Sequence, residues 1–63
     1  MFTTYSKAVS KAQRTARRNN KWMYVWSEDL NEYGIGDDID ADTYYAGQQS
    51  IACIGPDGEI EYA

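Results

Sequence analysis

The stretch "TYSKAVSKAQRTARRNNKWMYVWSE", residues 4–28, changes its apolar period halfway along, and that change decides the fold. From Tyr5 to Asn19 there is no Gly or Pro, and Ala8, Ala12 and Ala16 are strong helix formers. At about 100° per residue, Tyr5, Ala8, Val9, Ala12 and Ala16 share one helix face. Lys7, Lys11, Arg14 and Arg18 fall within about 60° of one another on the opposite face, in a stripe about 16 Å long. The hydroxyl of Thr3 or Thr4 can cap the first turn. Asn19-Asn20 can end the helix, because Asn tolerates the left-handed turn. A mostly alanine face suits a helix lying close against a sheet. The period then drops to two: Trp22, Tyr24 and Trp26 alternate with Met23 and Val25, residue types that favour a pleated surface. Large groups on both faces predict a central strand with the helix over one side.

Working outward, "SEDLNE" reads as a turn and "EYGIG", residues 32–36, as a short strand with Tyr33 and Ile35 on one face. Its glycines weaken that reading. Residues 40–46, "DADTYYA", read as a short helix, with acids suiting its first turn and Gly47 its stop. A strand at 43–45 competes. "QSIACIGPDGEIEYA", residues 49–63, sets two apolar-alternating runs around Gly55-Pro56-Asp57-Gly58, where Pro presets φ, Asp bonds back to backbone and Gly supplies positive φ. That predicts a β-hairpin turning at Gly55–Gly58. The order α-β-β-short α-β-β predicts an α+β fold, one N-terminal helix on one face of a small antiparallel sheet of 3–4 strands, in a single domain spanning 1–63. The strand aromatics with Ile51, Cys53, Ile60 and Tyr62 are the expected core.

Sixty-three residues leave a small core. No run of about 18 apolar residues offers a membrane span, and residues 1–4 lack the apolar region of a secretory signal. A lone Cys53 cannot form an internal disulfide, which favours a cytoplasmic chain. Without His and with one Cys, a zinc site is excluded. Asp38-x-Asp40-x-Asp42 opens like a calcium loop, but Thr43 and Gln49 stand where that loop needs Gly and Glu. Cys53 has no His to activate it and reads as a buried structural thiol. Gly34-x-Gly36 lacks the third glycine and long helix of a dinucleotide turn. The chain therefore reads as non-enzymatic and without cofactor or metal.

Residues 1–27 hold all six basic side chains and residues 28–63 all ten acidic ones, giving a net charge of −4. Such asymmetry points to a charged partner, unless the two halves neutralise each other. The stripe Lys7, Lys11, Arg14 and Arg18 could meet nucleic-acid phosphates, but the pI near 4.4 argues for a protein partner. A polyanion would be repelled unless the two charge sets were segregated. Glu28, Asp29, Glu32, Asp37, Asp38, Asp40 and Asp42 could instead mimic a phosphate backbone, or simply serve turns and caps. Tyr44 and Tyr45, set among acids, are candidate aromatic anchors for an interface, as are Tyr33 and whichever of Trp22 and Trp26 faces away from the helix.

At "DADTYYAG" (40–47) followed by "SIACIGPDGEIEYA" (50–63), the chain resembles the small α+β accessory proteins of tailed bacteriophages, mainly over residues 22–63. The resemblance implies a protein that binds and blocks a host or defence machine, such as a CRISPR effector, a restriction enzyme or a polymerase, in the host cytoplasm. The expectation is thus an inhibitor or modulator of a larger protein or nucleoprotein complex, docked through Lys7, Lys11, Arg14 and Arg18 with Tyr44 and Tyr45 as anchors. The alternatives are a nucleic-acid-binding accessory protein using the same helix face, or a self-associating assembly protein.

Overall fold

A computed structural model describes residues 2–62. Helix α1 runs Tyr5–Asn19, capped by the Thr4 hydroxyl, which accepts from the Lys7 backbone N–H, and closed by Asn20 in the left-handed region at φ 52°. Strands β1 (Met23–Asp29) and β2 (Glu32–Gly36) form a hairpin across Leu30-Asn31, with Asn31 at φ 60°. A five-residue helix α2 (Asp38–Asp42) follows, then β3 (Ala52–Ile54) and β4 (Ile60–Tyr62). The four strands form one antiparallel sheet in the order β2-β1-β3-β4. The predicted layout and the central place of β1 hold. The hairpin turn also stands where expected, closed by Gly55 N–H to Glu59 O at 2.9 Å and Gly58 N–H to Gly55 O at 2.8 Å.

Two boundaries and one face differ from expectation. The short helix starts at Asp38 rather than Asp40 and ends before Tyr44, because Asp37 forms a capping box with Asp40 and Thr43 closes the last turn. On β1 it is Met23 and Val25 that face α1, while Trp22, Tyr24 and Trp26 face away. Pairing carries that alternation across the sheet: Val25 lies opposite Ala52 and Met23 opposite Ile54, so Cys53 sits beside Tyr24 on the far face. The core under α1 is therefore Ala8, Val9, Ala12, Ala16, Met23, Val25, Ala52 and Ile54, with Ile51 and Ile60 at its margin. Cys53 is half-buried outside this core and Tyr62 is exposed, contrary to the expected core list.

The physical reason is space. Ala8, Ala12 and Ala16 are fully buried, so the helix backbone comes close to the sheet and leaves room for Met23 and Val25 but not for indole rings. Within this layer the larger buried side chains, Val9, Met23, Val25 and Ile54, contribute about 1.5–3 kcal/mol of burial energy each, while Trp26 and Tyr45 are buried on the opposite face of the sheet. Gln13 and Arg17 latch α1 to the hairpin turn, donating to the carbonyls of Gly58 (2.7 Å) and Asp57 (3.2 Å). Phe2 pairs with Tyr33 through two backbone hydrogen bonds and shields part of the β2 edge.

Candidate functional site

The exposed side of α1 carries Lys7, Lys11, Arg14 and Arg18, all at the surface. None belongs to an ion pair: among the described residues the single pair is Lys21 Nζ to Asp37 Oδ2 at 2.8 Å. Arg17, the fifth basic residue of the helix, is held by the Asp57 carbonyl and lies against Gly58, where a side chain would collide with its guanidinium. The structure thus divides the basic residues by job. Arg17 and Lys21 fasten the fold, while the four stripe residues have no carboxylate partner among the described residues. Among the described residues no carboxylate forms an ion pair with the stripe, which weighs against neutralisation by the chain's own acids, one of the readings left open by the sequence.

The acids are elsewhere because the sheet separates them from the helix. Glu28 and Glu61 lie on the face away from α1, with the aromatics, and α2 packs on that side. Many of them serve local structure. Asp37 accepts from the N–H groups of Ile39 and Asp40, and Asp40 returns a bond from the Asp37 N–H. Asp38 Oδ1 accepts from the Tyr24 hydroxyl at 2.6 Å, and Asp29 Oδ1 from the Leu30 N–H. Asp38, Asp40 and Asp42 stand on a helix rather than a loop, so they do not form the calcium cradle their spacing suggested. Lys21 and the two capping N–H groups hold the Asp37 carboxyl down at about 2.

The two tyrosines part company. Tyr45 is buried, 6% exposed, stacked on Trp26 at a centroid distance of 3.9 Å. It is a structural lid and offers no surface to a partner. Tyr44 is 71% exposed and packs edge-on against Tyr45. Since Tyr45 covers the sheet face opposite α1, Tyr44 and the basic stripe lie on opposite sides of the molecule. The sequence grouped them; the fold does not. The glycines of β2 explain how the lid fits: a Cβ at Gly34 would strike the Tyr45 hydroxyl, and one at Gly36 would sit 2.6 Å from the Asp40 Cβ. Burial, and then the nearby Glu28 carboxylate, push the Tyr45 phenol up to about 12.

The sequence offers Trp22 as a candidate interface aromatic but, without the sheet register, gives no sign of the cleft beside it. Trp22, 41% exposed, forms one wall of a cleft of about 330 Å³ with Gly55, Pro56, Asp57, Glu59 and Glu61. The signal was present in the alternation, which places Trp22 and Glu61 on the same sheet face once the register is known. No helix among the described residues is long and apolar enough to cross a membrane. The chain matches no known family model, no curated protein and no solved structure.

Proposed function

We propose that the chain is a non-enzymatic binding protein that docks the free face of α1 on an acidic surface of a larger protein or nucleoprotein complex. Lys7, Lys11, Arg14 and Arg18 make the contact. The action is inhibition or modulation of nucleic-acid-handling machinery, as the resemblance to phage accessory proteins implies. One observation carries the docking face: four cations in a row on one helix face, with no ion-paired carboxylate among the described residues. Such a row steers encounter with an opposite field and fixes register. Tyr45 leaves the list of anchors, and Tyr44 belongs to the other side of the molecule.

A second reading gains from the same geometry. A polyanion would be repelled by ten carboxylates unless they were segregated, and here the sheet stands between α1 and Glu28, Asp38 and Glu61. The stripe could then contact phosphates. The two readings separate on a gel shift with double-stranded DNA across a salt series, because phosphate contacts release counterions and weaken steeply with salt. No shift at low salt removes the nucleic-acid reading. Charge reversal at Lys11 and Arg14 tests the docking face in either case.

A further inference from the structure

The cleft at the β3–β4 turn lies on the sheet face away from α1 and owes nothing to the basic stripe. Its composition is one-sided. Trp22 supplies an indole wall and the acidic residues Asp57, Glu59 and Glu61 line the rest, with no Lys or Arg among the described residues that line it. Arg17, which reaches the turn from α1, is bound to the Asp57 carbonyl. The site is also shaped in advance. Asp57 Oδ1 accepts from the Glu59 N–H at 3.0 Å, fixing that carboxylate in the turn. The indole rests on Gly55, where an added Cβ would sit 3.5 Å from the ring and 3.2 Å from Asp57 Oδ1. The Glu59 and Glu61 carboxylates make no hydrogen bond among the described residues, and strand alternation puts residues 59 and 61 on the same side.

An aromatic face attracts a cation through its quadrupole, and flanking carboxylates add charge. At about 330 Å³ the cleft is at the small end of ligand pockets, enough for a side chain rather than a large cofactor. Its acids do not converge as a metal cage: no group of three or more His, Cys, Asp or Glu side chains able to hold an ion occurs among the described residues. The geometry points to a recognition site for the guanidinium of an arginine side chain, presented by a basic segment of a partner protein. Arginine fits better than lysine because the planar guanidinium stacks on an indole and donates in parallel to a carboxylate, which a compact ammonium does not. The molecule then has two recognition faces of opposite sign, the α1 stripe for acids and the Trp22 cleft for a basic segment.

The test is a titration of the isotope-labelled full chain with blocked tri-arginine, tri-lysine and tri-citrulline peptides, followed by NMR. The expected result is a saturable shift at the Trp22 indole N–H and residues 55–61, about tenfold weaker for tri-lysine and absent for neutral tri-citrulline. Trp22→Leu, and separately Glu59→Gln with Glu61→Gln, each weaken tri-arginine binding by about tenfold or more. Lys11→Glu with Arg14→Glu leaves it unchanged, so this site and the docking helix stand or fall separately. Equal binding of tri-lysine overturns the proposal, as do shifts spread over Asp37–Asp42, which would mean general attraction to an acidic body. Cleft resonances that move with protein concentration before peptide is added also overturn it, because a second copy would then be the occupant. The glutamates are exposed, so the glutamine pair decides the matter even if Trp22→Leu disturbs the fold.

Discussion

The rings of Trp26 and Tyr45 stack at 3.9 Å between centroids and 9° between planes, and this pair covers part of the sheet face that α1 leaves open. One ring comes from the central strand and the other from the turn after α2, so the stack ties residues 37–50 to the sheet together with the Lys21–Asp37 and Tyr24–Asp38 hydrogen bonds. The Trp26 indole Nε1 is buried with no hydrogen-bond partner, a cost of about 1–3 kcal/mol. Tyr45→Ala should therefore destabilise by about 3 kcal/mol, through lost area and an uncovered indole. Trp26→Phe should fall within about 1 kcal/mol of wild type, because it loses area but also removes the unpartnered N–H. Urea denaturation of the two variants checks the contrast.

Ala12 is fully buried where α1 meets the sheet. Ala12→Leu lowers intrinsic helix propensity only slightly but forces extra volume into a closed seam. The expected cost is about 2 kcal/mol, read from the same denaturation curves. An equal or higher midpoint would mean that the helix does not lie as close to the sheet as the alanines imply.

Acid stability should report Asp37. Its carboxyl is lowered from 3.8 to about 2, first by the Lys21 hydrogen bond and then by the capping N–H groups. A lowered folded-state value means the contribution is complete above pH 3.8 and fades as pH falls through about 2. Asp37→Asn keeps a capping side chain but removes the titration, so stability between pH 4 and 2 should become flatter than in wild type. Thermal midpoints across that range measure it.

Alkali should report Tyr24 and Tyr45, both raised from 10.0 to about 12. The chief cause at Tyr24 is its hydrogen bond to Asp38, and at Tyr45 burial. For a raised value the stabilisation is full below pH 10.0 and is lost as pH rises through about 12. Tyrosinate absorbance should show a late-titrating group that Tyr24→Phe reduces, and the loss of stability above pH 10 should be smaller in that variant.

Local signals were legible in the sequence. Thr4, the alanines and Asn20 bound α1 within one or two turns, and Gly55-Pro56-Asp57-Gly58 closes its hairpin by chemistry held in four residues. What could not be read depends on contacts across the sheet. Trp26 and Val25 are both apolar neighbours on β1, and only the closeness of α1 decides which faces the helix. Tyr44 and Tyr45 look alike in sequence, yet the glycines of β2 admit only Tyr45 beneath the surface. The acids point to a capped first turn, but with Asp37, Asp38, Asp40 and Asp42 all able to cap, only the Asp37–Asp40 capping box fixes the start at Asp38 rather than Asp40. The basic stripe was legible, but its lack of carboxylate partners among the described residues depends on the sheet standing between α1 and Glu28, Asp38 and Glu61.

The most direct measurement is quantitative capture by immobilised chain from lysate, comparing wild type, Lys11→Glu with Arg14→Glu, and Asp42→Lys on the acidic side. All three substituted positions are exposed, so each variant should keep the wild-type circular dichroism spectrum and melting midpoint. The account predicts a partner held by wild type and by Asp42→Lys, released by salt and lost by at least about tenfold in the double reversal. A partner retained equally by the folded double-reversal variant would contradict the docking of α1.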